Sequence, residues 1–95
     1  MTKSQLIEAV SERIDMPKAQ AERLVNAIFD EMRMTLSNGN RIEFRGFGSF
    51  QVREYKAMVA RNPRTGAPVK VPPRRRVRFR MSDLMFKRLN ENLLS

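Results

Sequence analysis

Apolar positions in the first third of the chain recur with the period of an α-helix. Between Thr2 and Ile14, the side chains Leu6, Ile7, Val10 and Ile14 fall on one stripe, while Lys3, Glu8, Glu12 and Arg13 fall away from it. Thr2 followed by Gln5 three positions on fits a capping box that would start this helix. Asp15-Met16-Pro17 interrupts the pattern, because the residue before a proline is driven out of the helical region and Pro17 suits the first turn of a new helix. From Lys18 to Ser37, Ala21, Leu24, Val25, Ile28, Met32 and Leu36 recur at threes and fours, and Asn38-Gly39-Asn40 closes the helix with a glycine suited to a left-handed cap. Val25, Phe29 and Met34 widen this second stripe beyond what one short partner helix covers. The helix pair is therefore expected to be only half buried in a monomer.

At Arg41 the period changes to two. Arg41-Ile42-Glu43-Phe44-Arg45 alternates, Gly46-Phe47-Gly48 turns, and Ser49-Phe50-Gln51-Val52-Arg53 alternates again, which predicts a β-hairpin. Arg61-Asn62-Pro63-Arg64-Thr65-Gly66 is turn chemistry, and the flanks Lys56 to Val59 and Val69 to Val71 run as a two-stranded ribbon around it. With almost no apolar face expected, that ribbon must project from the body. Val77-Arg78-Phe79-Arg80-Met81 alternates as a third body strand, and Ser82-Asp83 caps a last helix carrying Leu84, Met85, Leu89, Leu93 and Leu94. The expected fold class is α+β: a helix pair, a three-stranded antiparallel sheet extended into a protruding β-ribbon arm, and a C-terminal helix.

Charge sharpens this outline. The chain carries 19 Lys+Arg against 10 Asp+Glu, a net charge of +9 on 95 residues. Residues 53–80 hold ten basic side chains (Arg53, Lys56, Arg61, Arg64, Lys70, Arg74, Arg75, Arg76, Arg78 and Arg80) against the single acid Glu54, so the other 67 residues are neutral in sum. A neutral body with a cationic segment points to a polyanion engaged by that segment. About 67 residues are left to form a core, near the length at which a lone domain is marginally stable. Dimerisation would cover the surplus apolar faces and set two cationic arms side by side.

Composition removes other chemistries. The absence of Cys rules out disulfides, thiolate metal sites and a cysteine nucleophile. The absence of His removes the commonest general base and metal ligand. Ser49 therefore has no imidazole to activate it. The carboxylates Glu8, Glu12, Asp15, Glu22, Asp30 and Glu31 are interspersed with Lys and Arg, as on a solvated, partly ion-paired surface rather than an acid–base pair. Gly46-Phe47-Gly48 lacks a third glycine at Gln51 and lies between strands, so it is no dinucleotide fingerprint. No metal or cofactor and no enzymatic activity are expected. The sequence shows neither an apolar run of about 20 residues nor a secretory h-region, and the expected location is cytoplasmic.

Gly46-Phe47-Gly48-Ser49-Phe50, followed thirteen residues after Gly48 by Arg61-Asn62-Pro63-Arg64-Thr65-Gly66, resembles the bacterial HU and integration host factor family of histone-like DNA-bending proteins. The resemblance covers nearly the whole chain. It implies one domain over 1–95, with a helical dimerisation part at 1–40, a sheet at 41–81 whose arm spans about 53–76, and a closing helix at 82–95. It also implies an intertwined dimer on the nucleoid, with two arms that embrace double-stranded DNA in the minor groove. This family is itself a standing example of minor-groove architectural binding.

On this resemblance Pro63 matches the arm-tip proline that wedges between base pairs. Taken alone it would be an ordinary turn proline; the surrounding motif reverses that reading. Arg61, Asn62 and Arg64 match tip positions that contact the minor groove, with Thr65 and Gly66 completing the motif, and Arg53, Lys56, Lys70, Arg74, Arg75, Arg76, Arg78 and Arg80 line the arm. Lys3 and Lys87 resemble body positions that touch phosphates on the DNA flanks, aided by helix N-terminal dipoles; the alternative for each is a solvated surface lysine. Gly46 and Gly48 are structural. Phe44, Phe47, Phe50 and Phe79 are read as core and interface rather than as stacking platforms.

Departures from the family pattern fall on the arm. Tyr55 and Met58 stand where arginines are common, Ala60 where glycine is, Val77 where a proline is, and Ser82 where the last helix usually opens with glycine. Met58 is read as packing, with a second apolar wedge as the alternative. Arg74-Arg75-Arg76 with Arg78 and Arg80 moves phosphate contact to the returning side of the arm. The expected function is therefore bending and condensing the chromosome as a homodimer, or as a heterodimer with a paralogue, with a preference for bent, nicked or flexible sites and no membrane partner. The alternative is a small basic RNA-binding protein of ribosomal type.

Overall fold

In the computed structural model, which describes residues 1–94 and side chains through Leu93, α1 (Lys3–Ile14) opens on the expected capping box. The Thr2 hydroxyl accepts from the Gln5 N–H at 3.2 Å, and the Gln5 amide oxygen accepts from the Thr2 N–H at 2.8 Å. The helix ends at Asp15, whose φ of 55° is left-handed, a conformation Asp adopts more readily than most residues. Pro17 is the N-cap of α2 (Lys18–Ser37) rather than a first-turn residue, because its ψ of 143° is extended. Its carbonyl accepts the N–H groups of Gln20 and Ala21. Ile7, Ala21 and Val25 lock the two helices together, flanked by Leu6, Val10, Met16 and Phe29.

Five strands follow: β1 (Ile42–Phe44), β2 (Gly48–Tyr55), β3 (Met58–Arg61), β4 (Pro68–Val71) and β5 (Arg74–Met81). The body sheet has the antiparallel order β1-β2-β5, and β3 and β4 pair separately as the ribbon. β5 begins at Arg74, three residues before the alternating pattern at Val77, since Arg74, Arg75 and Arg76 pair with Tyr55, Glu54 and Arg53. A run of like residues carries no alternation for the eye, yet it extends the ladder. That ladder stops where Pro72 and Pro73 offer no backbone donor, and it resumes at the pair Met58 and Val71.

The ribbon does have an apolar face, contrary to the sequence expectation. Cross-strand pairs share a side, so Met58 with Val71 and Ala60 with Val69 form one apolar stripe. Val59 with Lys70 and Arg61 with Pro68 occupy the other side. The ribbon still projects: the radius of gyration is 19.1 Å, against about 12 Å for a compact chain of this length.

The closing helix is divided, not continuous. α3 (Asp83–Leu89) is capped by the Ser82 hydroxyl, which accepts from the Met85 N–H at 3.0 Å. At Asn90 the backbone N–H and the side-chain amide both donate to the Phe86 carbonyl, at 3.1 and 2.8 Å, and α4 (Glu91–Leu94) starts afresh beyond this cap. The Leu94 side chain and Ser95, assigned to one helix by the apolar pattern, lie outside the described residues.

Candidate nucleic-acid interface

The pleat of the body sheet sorts its residues into two faces. Phe50 with Phe79, Val52 with Val77 and Ile42 lie on one face. Ser49 with Arg80, Gln51 with Arg78, Arg53 with Arg76 and Tyr55 with Arg74 lie on the other. Four arginines thus stand on alternate positions of β5, roughly 6.8 Å apart, with Arg53 beside them. Arg53 and Arg76 are directly opposed like charges, an arrangement that destabilises a sheet unless an anion lies between or above them. Arg76, Arg78 and Arg80 are exposed and have no ion pair among the described residues.

Arg75 departs from this track. It lies on the opposite face, where it holds Glu54 at 3.1 Å. The run 74–76 is therefore not a single cationic patch. Arg41 and Arg45, which the sequence does not assign to DNA, line a shallow depression together with Arg80. The available signal was their shared parity with Glu43, which pairs with Ser49 on the arginine face.

The tip loop is organised around Pro63 by short hydrogen bonds. The Asn62 amide oxygen accepts the Arg64 N–H at 2.8 Å, forming an Asx turn that brackets the proline. Thr65 accepts the Ala67 N–H at 3.2 Å, and Arg61 donates to the Gly66 carbonyl at 3.2 Å. Gly66 has φ of +71°, a left-handed conformation that L side chains rarely adopt, which is why glycine closes the loop. Pro63 and Arg64 remain exposed. Asn62, Thr65 and Arg61 thus hold the loop's shape as well as lying beside its apex.

At the other end of β2, the turn 45–47 returns the chain so that the Phe47 carbonyl accepts the Ser82 N–H at 3.0 Å. Gly48 is buried, and a Cβ there would stand 2.6 Å from both the Arg80 carbonyl oxygen and the Phe79 ring. Only glycine permits that approach. Phe50 and Phe79 meet at 4.9 Å between ring centroids, Phe47 and Phe79 at 5.4 Å, and Phe44 and Phe50 at 6.2 Å. The rings pack on each other, and Phe44, Phe50 and Phe79 lie on the sheet face opposite the arginines. Lys3 is exposed at the start of α1. Lys87 is exposed in the last turn of α3, so a helix N-terminal dipole does not assist it.

A cationic sheet face continued by a two-stranded ribbon with an exposed proline in its tip loop is the form of a nucleic-acid-binding α+β protein. Residues 1–90 match the family model described as bacterial DNA-binding protein, and the chain belongs to that family, the one that includes HU and integration host factor. The integration host factor subunit alpha of Myxococcus xanthus is 41% identical over 90 residues, covering 95% of this chain and 70% of the relative. A structure of Anabaena HU cocrystallised with DNA superposes with a TM-score of 0.83 at 32% identity, covering 94% of this chain and 97% of that one. A point mutant of HU from Thermotoga maritima superposes with a TM-score of 0.68 at 21% identity, covering 94% and 99%, and shares the fold. The family is one of DNA-binding architectural proteins, not of enzymes.

Proposed function

We infer that this chain binds duplex DNA mainly through the minor groove, bends it with Pro63 as a wedge, and follows the bent backbone with the arginine face of β5. The observation that carries the reading is the combination of an exposed, braced proline in the ribbon's tip loop with an arginine track on the body sheet. An undistorted minor groove is about 6 Å wide, and two paired backbones alone stand about 4.8 Å apart. Entry of a ribbon with side chains therefore requires an opened groove. An apolar wedge that unstacks a base step and kinks the duplex toward the major groove provides that opening, at a cost of a few kcal/mol per step offset by added phosphate contacts. The apolar stripe of Met58, Ala60, Val69 and Val71 suits the sugar walls of such a groove. Sequence preference then arises from deformability, with nicked, bent or flexible sites bound best.

The same reading requires a dimer. Only Ile7, Ala21 and Val25 form the buried apolar core among the described residues, while Ile28, Phe79 and Val77 remain 50%, 46% and 52% exposed. Ala27, Ile28, Met32, Ile42 and Phe44 line an apolar gap between α2 and the sheet. An intertwined second copy, or a paralogue, would cover these faces and present two arms to one duplex. The setting that fits is the cytoplasmic nucleoid, where such a protein condenses the chromosome. No described helix is long and apolar enough to cross a membrane.

The test is a gel-shift competition between an intact and a nicked duplex at two salt concentrations, with sedimentation of the free protein. The expected result is tighter binding to the nicked duplex, affinity that falls steeply with salt, and a dimer. A strong preference for duplex RNA in direct competition would replace this reading by the RNA-binding alternative, which family membership does not favour.

A further inference from the structure

The arm base contains one arginine unlike its neighbours. Arg76, Arg78 and Arg80 are exposed, whereas Arg74 is half-buried, and its Nε and Nη1 are shielded from solvent with no hydrogen-bond partner. Its guanidinium carbon lies 5.1 Å from the centroid of the Tyr55 ring, within the reach of about 6 Å at which a ring face attracts a cation. Shielded donors without an acceptor are costly to keep. The attraction of the cation to the ring face offsets part of that cost, and a lysine's compact, strongly hydrated ammonium would do so less well.

Its position gives the contact a role. Tyr55 and Arg74 form the last pair of the body ladder, and Pro73 and Pro72 follow at once. Two successive residues without N–H cannot carry ladder bonds, so the backbone does not by itself set the direction in which the ribbon leaves. Side chains at the last pairs must do so. Tyr55 with Arg74 closes one face of the sheet there, and Glu54 with Arg75 at 3.1 Å closes the other.

We propose that the Tyr55–Arg74 stack is a clasp that fixes the direction of the ribbon relative to the body, and through it the path of bent DNA, so that Arg74 is a positioning residue and not a phosphate contact. This rests on the DNA-bending reading above. It separates Arg74 from the arginines two, four and six positions further along β5, which the sequence places in the same cationic run.

Three measurements on the full chain test it. In the free protein, NMR should show the Arg74 Hε shifted upfield by the Tyr55 ring and exchanging with water more slowly than the Hε of Arg76 or Arg78. Tyr55→Leu should abolish that shift and Tyr55→Phe should keep it. On end-labelled duplex, fluorescence transfer should report a reduced and broadened bend for Tyr55→Leu and for Arg74→Lys, with Tyr55→Phe restoring the unaltered value. The salt slope of binding should change for Arg74→Gln by less than half of the roughly 0.9 lost with one phosphate contact. An Arg74 Hε that exchanges as fast as its neighbours would show that the clasp does not form. A normal bend for Tyr55→Leu with the clasp lost, or a slope loss of a full contact for Arg74→Gln, would overturn the positioning role. Absence of bending by the unaltered protein would instead strike the architectural reading, and the Hε signal would still decide whether the clasp exists.

Discussion

Pro63 stands at the apex of a loop whose neighbours commit their own polar groups to the backbone. The Asn62 side chain accepts the Arg64 N–H and Thr65 accepts the Ala67 N–H, so the loop that presents the proline is braced by its own side chains. Pre-organisation of this kind lowers the entropy lost on insertion. Pro63→Ala is therefore expected to reduce bending more than binding, since the cationic track is untouched. Equal fluorescence transfer from labelled duplex with mutant and parent would remove the wedge role. Gly48→Ala sets a methyl 2.6 Å from a backbone oxygen and an aromatic ring, and overpacking of that kind costs roughly 1–3 kcal/mol. Urea unfolding should show the loss, and a neutral result would mean that the strands separate more easily than their pairing suggests.

The strand β5 divides its arginines by parity. Arg76, Arg78 and Arg80 share the exposed face with Arg53, while Arg75 turns away to Glu54. Replacing Arg76, Arg78 and Arg80 together by Ala should lower the slope of log affinity against log salt by up to about 2.7, at roughly 0.9 per lost phosphate contact. Arg75→Ala should leave that slope near its parent value. A titration over several salt concentrations distinguishes the two, and equal effects would mean that the sheet face is not the phosphate track. The helices, the hairpin and the tip were legible in the sequence because each carries a local signal: the Thr2 and Gln5 cap, alternation around Phe50, and Gly66 after Asn62-Pro63. The reach of β5 back to Arg74 was not legible, because identical residues show no period. The break at Asn90, where backbone N–H and side-chain amide both donate to the Phe86 carbonyl, leaves no mark on the stripe of leucines.

For the whole molecule, the projecting arm and the uncovered apolar faces are two sides of one fact. A chain that extends over 56 Å along its longest axis cannot fold back on its own sheet. Ile28 is half exposed in the single chain and lines the gap beside Phe44. As a surface residue its replacement by Ala would cost little, but beneath a second copy Ile28→Ala should cost about 2–5 kcal/mol. The melting temperature of the parent should also rise with protein concentration, as it must when folding and association are linked. Thermal scans over a hundredfold dilution provide the check, and a concentration-independent midpoint would count against the dimer.

Periodicity and charge by themselves determined the order of helices and strands, the place of the tip and the confinement of the excess charge to residues 53–80. These are local or additive properties, and a chain carries them whatever its tertiary structure. Only the folded register decided which arginines share a face, that the ribbon has an apolar side, and that Arg74 lies against Tyr55 while Arg75 reaches Glu54. Those are cross-strand relations, and cross-strand pairing joins residues that are distant along the chain.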